Sequence, residues 1–289
     1  MSAATFATIM GTIDALQYDF MRRALIAALL VGLAAPAVGI FLVQRRLALI
    51  GDGLGHVAIT GVALGLVLDR APVTFALAAA IAGAVAIEVI RSRREAFAEL
   101  ALALLFYGGL GGGIVLASRA PSGNRNLTQY LFGSITTTSA SDVRTFAVLA
   151  AVVLVSSIGL RRVLFTVSND EEFAPVSASG TPVMAVNLAL AVLSALTVVV
   201  SMRIVGVLLV SALMVVPVAA AQMLARSFWQ TFTASMVIGV GVAVCGVFVS
   251  FYADTPPGGT IVLLAIGVFA LAFLGATAAR SLLGAHRRR

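Results

Sequence analysis

The chain has 289 residues, of which 61% are hydrophobic and 11% charged, whereas soluble domains run at about 45–50% apolar and about 25% charged. Its net charge of +7 comes from 19 basic residues against 12 acidic ones, and every basic residue is Arg. This balance excludes a soluble enzyme, a disordered tail and a nucleic-acid-binding domain. It describes an all-α polytopic membrane protein of the cell (inner) membrane, with residues 1–289 forming one transmembrane domain.

The N-terminal tail, residues 1–19, lacks a charged region followed by a cleavage site, so the first span serves as the insertion signal. Nine apolar stretches stand out, at roughly 20–43, 47–68, 72–90, 98–117, 144–165, 182–201, 204–225, 230–250 and 260–280. Each approaches the ~20 residues needed to cross a bilayer. An arrangement of eight spans with one re-entrant stretch fits the same pattern. Only Arg45-Arg46 separate spans 1 and 2, and Asp69-Arg70-Ala71-Pro72 separate spans 2 and 3. Such loops suit antiparallel neighbours. Residues 281–289 form a basic C-terminal tail that includes His286.

With the C-terminus in the cytoplasm, 12 Arg fall inside and 7 outside, the sense expected from the positive-inside rule. Two loops are long enough for structure of their own. The segment Pro121 to Asp142 lies outside and is expected to hold a short or re-entrant helix, with Ser141 or Asp142 capping span 5. The segment Ser168 to Pro182 lies inside and carries the acidic run Asp170-Glu171-Glu172. Spans 1–4 and 6–9 are offset by five helices, an odd number, which makes them candidates for an inverted-topology repeat.

Ionisable groups within hydrocarbon are functional candidates. Glu88 and Glu99, near Arg91, Arg93 and Arg94, are expected to be ion-paired or to snorkel. Asp52 and His56 remain, in Gly51-Asp52-Gly53-Leu54-Gly55-His56. Four residues apart, they share a helical face about 6 Å apart along the axis. Carboxylate and imidazole make half of a site for zinc, manganese or iron; a hydrogen-bonded structural pair or a proton relay has the same spacing. A two-fold dimer would double the ligands. Gly108, Gly109 and Gly111–Gly113 in span 4 are expected to serve packing. Pro36 and Pro217 are expected to kink their spans or help end a helix. Lone Cys245 forms no disulfide framework. Without Lys there is no phosphate-binding Gly-x-x-x-x-Gly-Lys-Ser/Thr loop, and zinc-protease and serine-hydrolase motifs are missing too.

Residues Phe20-Met21-Arg22-Arg23-Ala24-Leu25 through Gln44-Arg45-Arg46-Leu47-Ala48-Leu49-Ile50-Gly51-Asp52, with His56, resemble the permease subunits of bacterial zinc/manganese/iron ABC importers. Leu131-Phe132-Gly133-Ser134-Ile135, Arg203-Ile204-Val205-Gly206-Val207 through Leu213, and Pro256-Pro257-Gly258-Gly259-Thr260 agree in order. The resemblance covers about residues 20–275. It implies a cobalamin-importer-like homodimeric pore for a divalent transition metal, with zinc as first candidate and manganese or iron as alternatives. It also implies a cytoplasmic ATPase dimer that binds the ATP, an extracytoplasmic metal-binding protein, and no catalytic site on this chain. Asp52 and His56 match the family's polar residues on the path. The turn from about Ala219 to Thr233, with Gln222, Arg226 and Trp229, matches the ATPase-coupling region. The family's usual Gly-Asp-Ala-Leu-Ser-His-Ala has Gly55 in place of its Ser here. A gradient-coupled carrier using Asp52 and His56 as a relay is the alternative.

Overall fold

Hydrocarbon offers no partner for a backbone N–H or C=O, so a chain this apolar satisfies them within helices. The computed structural model describes residues 16–93, 97–120, 123–134, 136, 139–169 and 183–286. In chain order the helices are α1 (Asp19–Gln44), α2 (Ile50–Val67), α3 (Pro72–Arg93), α4 (Ala98–Ala117), α5 (Gly123–Phe132), α6 (Ala140–Gly159), α7 (Arg161–Asn169), α8 (Val183–Ser201), α9 (Val210–Leu224), α10 (Phe228–Ala253) and α11 (Pro257–His286). Among the described residues, eight are long and apolar enough to cross a membrane; α9, with 15 residues, is shorter, and α5 and α7 are shorter still.

The expected seventh span (204–225) is broken. Gly206 sits at φ 83°, a single 3-10 turn covers Val207–Leu209, and α9 begins only at Val210. A left-handed residue cannot continue a right-handed helix, and Gly adopts that conformation at little cost. Span 5 (144–165) also divides. It runs as α6 to Gly159, turns at Leu160 and restarts as α7 at Arg161. The expected C-terminal tail begins late, because α11 continues to His286. Both Pro36 and Pro217 lie inside their helices and end neither. The acidic run Asp170-Glu171-Glu172 lies outside the described residues.

Three helices end in the same way without glycine. Arg46, Asp69 and Asp254 have φ of 58°, 50° and 50°. Beyond them Leu47 N–H bonds Leu42 O at 2.8 Å and Arg70 N–H bonds Gly65 O at 2.9 Å, the six-to-one closure of a left-handed helix cap. Each cap reverses the chain within a few residues. Ser139, not Ser141, caps α6. Its Oγ accepts from Asp142 N–H at 3.2 Å while the Asp142 carboxylate accepts from Ser139 N–H at 3.0 Å, a reciprocal capping box.

α1, α2 and α8 are central: 72%, 67% and 61% of their apolar windows are buried, against 22% for α4, α6 and α11. The helices α1–α4 and α8–α11 run in opposite senses through the bundle. Pairing them in order exchanges their packing partners: α2 lies against α3 and α4 as α9 lies against α10 and α11, and α1 packs on α10 and α9 as α8 packs on α3 and α2. This is the arrangement of an inverted repeat.

Small residues let the backbones approach. A Cβ on Gly39 of α1 would stand 1.9 Å from Met214 O of α9, and one on Gly109 of α4 would stand 2.6 Å from the His56 carbonyl carbon of α2. Gly113 faces Ile59 in the same seam, and Thr60 Oγ1 donates to Gly109 O at 2.6 Å. Gly108 and Gly111 face open space. The packing role expected of the span 4 glycines thus belongs to Gly109 and Gly113. Gly109→Ala is expected to destabilise the detergent-solubilised chain by about 1–3 kcal/mol, while Gly108→Ala leaves it unchanged; thermal unfolding of the two variants side by side checks this.

Candidate metal path

Asp52 lies in the first turn of α2, where a carboxylate is favoured by the positive end of the helix dipole. Ser211, in the first turn of α9, donates its hydroxyl to Asp52 Oδ1. α2 and α9 are the equivalent members of the two repeats, so this bond joins their beginnings. One turn on, His56 is 4% exposed, and its Nδ1 lies 2.7 Å from Asp52 O. A carbonyl can only accept, so Nδ1 carries a proton and Nε2 is the ring nitrogen that can offer a lone pair to a metal.

A cleft of about 400 Å³ opens beside this turn, with Asp52, Glu99, Leu102, Phe106 and Tyr107 on its wall. Glu99, expected to be ion-paired or to snorkel, is exposed and faces this cleft from the first turn of α4. His56 is not on the wall. Its ring lies 3.9 Å, centroid to centroid, from that of Phe106, which is. Asp52 and His56 therefore share one helical face, as their spacing requires, but Asp52 meets the cleft and His56 is packed against an aromatic. Among the described residues, no three His, Cys, Asp or Glu stand close enough to hold a metal ion.

Glu88 is paired as expected. It is 2% exposed, and its two carboxylate oxygens accept from Arg91 at 3.0 and 2.9 Å. Gly55 explains its own departure from the family sequence: a Cβ there would lie 2.8 Å from Val207 Cγ1, so glycine lets α2 close on the 3-10 turn.

At the far end of the bundle the motifs quoted above converge. Cβ atoms on Gly133, Gly206 and Gly258 would stand 2.0, 2.3 and 1.8 Å from Ile204 O, Leu131 O and Val205 O. Ser134 N–H bonds Arg203 O at 2.9 Å. The Arg203 guanidinium reaches Asp142 at 2.6 Å and the Tyr130 hydroxyl at 3.0 Å. At the arginine-rich end, Gln222 and Arg226 are exposed at the end of α9 and in the turn after it. Trp229 is 43% exposed, packs against Phe228 and Phe232, and lies beneath Arg161, whose guanidinium carbon is 5.0 Å from the ring centre.

A helical membrane bundle with an inverted repeat, a broken helix and a carboxylate at the break has the architecture of a transporter permease. Residues 17–276 match the ABC 3 transport family, and the chain belongs to it. It is 30% identical over 258 residues to the manganese transport system membrane protein MntC of Halalkalibacterium halodurans, covering 89% of this chain and 88% of that one. With the manganese import system permease protein ScaB of Streptococcus parasanguinis it shares 32% identity over 268 residues, 90% of this chain and 92% of the relative. Among solved structures, PsaBC from Streptococcus pneumoniae in complex with Fab matches with a TM-score of 0.82 and 31% identity, covering 92% of this chain and 95% of that one. A metal-chelate type ABC transporter in an inward-facing conformation shares the fold, with a TM-score of 0.71 at 16% identity over 88% and 86% of the two chains. The protein is thus a multi-pass membrane subunit of a metal ABC transporter.

Sequence reasoning missed Ser211, Glu99 and Phe106 as neighbours of Asp52. Ser211 had a signal, a hydroxyl within the Arg203–Leu213 segment that carried the resemblance. Glu99 had a weaker one, a carboxylate opening an apolar span. A double-mutant cycle of Asp52→Asn and Ser211→Ala is expected to give a coupling energy of about 1–3 kcal/mol, read from unfolding midpoints in mixed detergent; additivity of the two changes would separate the residues.

Proposed function

We propose that this chain is the membrane-spanning subunit of an ATP-driven importer for a divalent transition metal, working as a homodimer with a cytoplasmic ATPase pair and an extracytoplasmic metal-binding protein. The carrying observation is Asp52, fixed at the start of α2 by Ser211 and turned to a cleft that Glu99 also faces. In this reading the metal is cargo. Asp52 contacts it directly, and His56 presents Nε2 when the Phe106 ring moves aside. One chain supplies too few ligands for a closed site, and a two-fold copy doubles them. Incomplete coordination suits transit, since the ion must also leave.

Both relatives described above are named for manganese, and carboxylate oxygens suit manganese better than they suit softer ions. Manganese is therefore placed ahead of the zinc expected from the sequence. The gradient-coupled carrier gains no support from the family assignment. Gln222 and Arg226, exposed beside the α9–α10 turn, are placed as ATPase contacts, with Trp229 bracing the turn from within.

The test is uptake into vesicles holding this chain, its ATPase and its binding protein. ATP-dependent manganese uptake is expected to exceed that of zinc or iron in competition. Asp52→Ala and His56→Ala are expected to lower uptake at least tenfold while the ATPase still co-purifies. Undiminished uptake in both variants would move the path elsewhere, and uptake driven by a proton gradient without ATP would overturn the importer.

A further inference from the structure

A second cavity, of about 590 Å³, lies where α6 gives way to α7, and its wall consists of Arg161, Arg162, Phe165, Thr166 and Trp229. Three features of this place stand in tension with one another. Two arginines occupy the first turn of α7, and no acidic residue accompanies them there. Cations at a helix N-terminus oppose the helix dipole, so the arrangement costs stability on its own. Arg226, at the start of the neighbouring turn, adds a third positive charge and no carboxylate. Among the described residues neither Arg161 nor Arg162 meets an Asp or Glu, and the Trp229 ring is the one group shown to receive the Arg161 charge. An anion seated in the cavity would cancel the repulsion and bond to both guanidinium forks.

The position says which anion. α6 is a peripheral helix, 22% buried, so its end borders lipid rather than the bundle interior. α7 turns one apolar edge inward, with Leu164 and Val167 buried, and leaves Arg161 and Arg162 exposed. The arginine-rich ends of the helices lie on this side, which places it at the cytoplasmic leaflet, where anionic lipids collect. Phe165 packs against Phe228, ring centres 4.6 Å apart, so an aromatic floor lies under the charged rim, the combination found at the level of lipid headgroups.

We propose that this cavity binds the phosphate headgroup of an anionic phospholipid, Arg161 and Arg162 holding the phosphate and Phe165 and Trp229 lying along the glycerol and upper acyl chain. The site is separate from the Asp52 cleft and does not rest on the metal reading.

Trp229 is the only tryptophan of the chain, so its fluorescence reports on this cavity alone. The full chain would be reconstituted in phosphatidylcholine vesicles containing brominated phosphatidylglycerol or, in parallel, brominated phosphatidylcholine. Quenching by the anionic lipid is expected to show an apparent preference of at least fivefold. The double variant R161Q/R162Q is expected to lose the preference, and R161K/R162K to keep part of it because the charge is retained. R46Q/R93Q removes the same charge from exposed positions on the same side and is expected to keep it in full. Equal quenching by both lipids in the wild type would overturn the proposal, as would an equal loss in R46Q/R93Q, which would reduce the effect to bulk attraction. A preference that appears only in D170N/E171Q/E172Q would assign the cavity to the chain's own acidic run. Protection of Trp229 from quenching by millimolar glycerol 3-phosphate would make the ligand a soluble phosphate instead. Helix content of each variant, read by circular dichroism, separates loss of binding from loss of fold.

Discussion

Between helices in a bilayer there is little hydrophobic force to spend, because the lipid is as apolar as the side chains; cohesion comes from close backbone approach and from the polar bonds that approach permits. In this protein that constraint acts through α2. Gly109 and Gly113 bring α4 against one side of it, Gly61 brings α3 against another, and Gly51 allows the start of α9 to approach a third. With neighbours this close on several sides, α2 has almost no freedom to rotate. The direction in which Asp52 points is thereby set by glycines that carry no chemistry themselves.

The same constraint accounts for the broken helix. An unbroken span through residues 204–225 would carry Ser211 along a continuous cylinder with its backbone fully bonded. Breaking it at Gly206 lets the 3-10 turn dip between α2, α5 and α11, and α9 then begins with Ser211 beside Asp52. A carboxylate half-buried in an apolar bundle, as Asp52 is, is costly unless hydrogen-bonded. Ser211 satisfies one oxygen and leaves the carboxylate facing the cleft with acceptor capacity to spare. The break and the acid are two halves of one arrangement, related by the inverted repeat.

At the break itself, Gly133, Gly206 and Gly258 make a junction of three chain segments far apart in sequence. It is pinned by the Arg203–Asp142 ion pair and the Tyr130 hydroxyl. Asp142 serves twice there, as partner in the capping box of α6 and as acceptor for Arg203. A half-buried ion pair supplemented by neutral hydrogen bonds helps to hold one geometry at this junction. The junction joins α5, α6, α9 and α11 at the mouth opposite the arginine-rich end, so movement of one of these elements is felt by the others.

Much of this was legible from residue order alone. Composition and the ~20-residue apolar period identified an α-helical membrane domain, because the bilayer imposes both length and hydrogen-bonding pattern on any chain that crosses it. The four-residue spacing of Asp52 and His56 placed them on one face for the same local reason, and the opposed sense of the two halves followed from counting spans. Local rules could not find the break at Gly206 or the division of span 5, since hydropathy averages over a window and does not register one left-handed residue or one turn. Nor could they pair Asp52 with Ser211, 159 residues away, show that Glu99 shares a cleft with Asp52, or separate Gly109 from Gly108. Those outcomes depend on which helices touch and at what height. In a bundle whose surface and core are equally apolar, that is decided by the shapes that fit together in three dimensions.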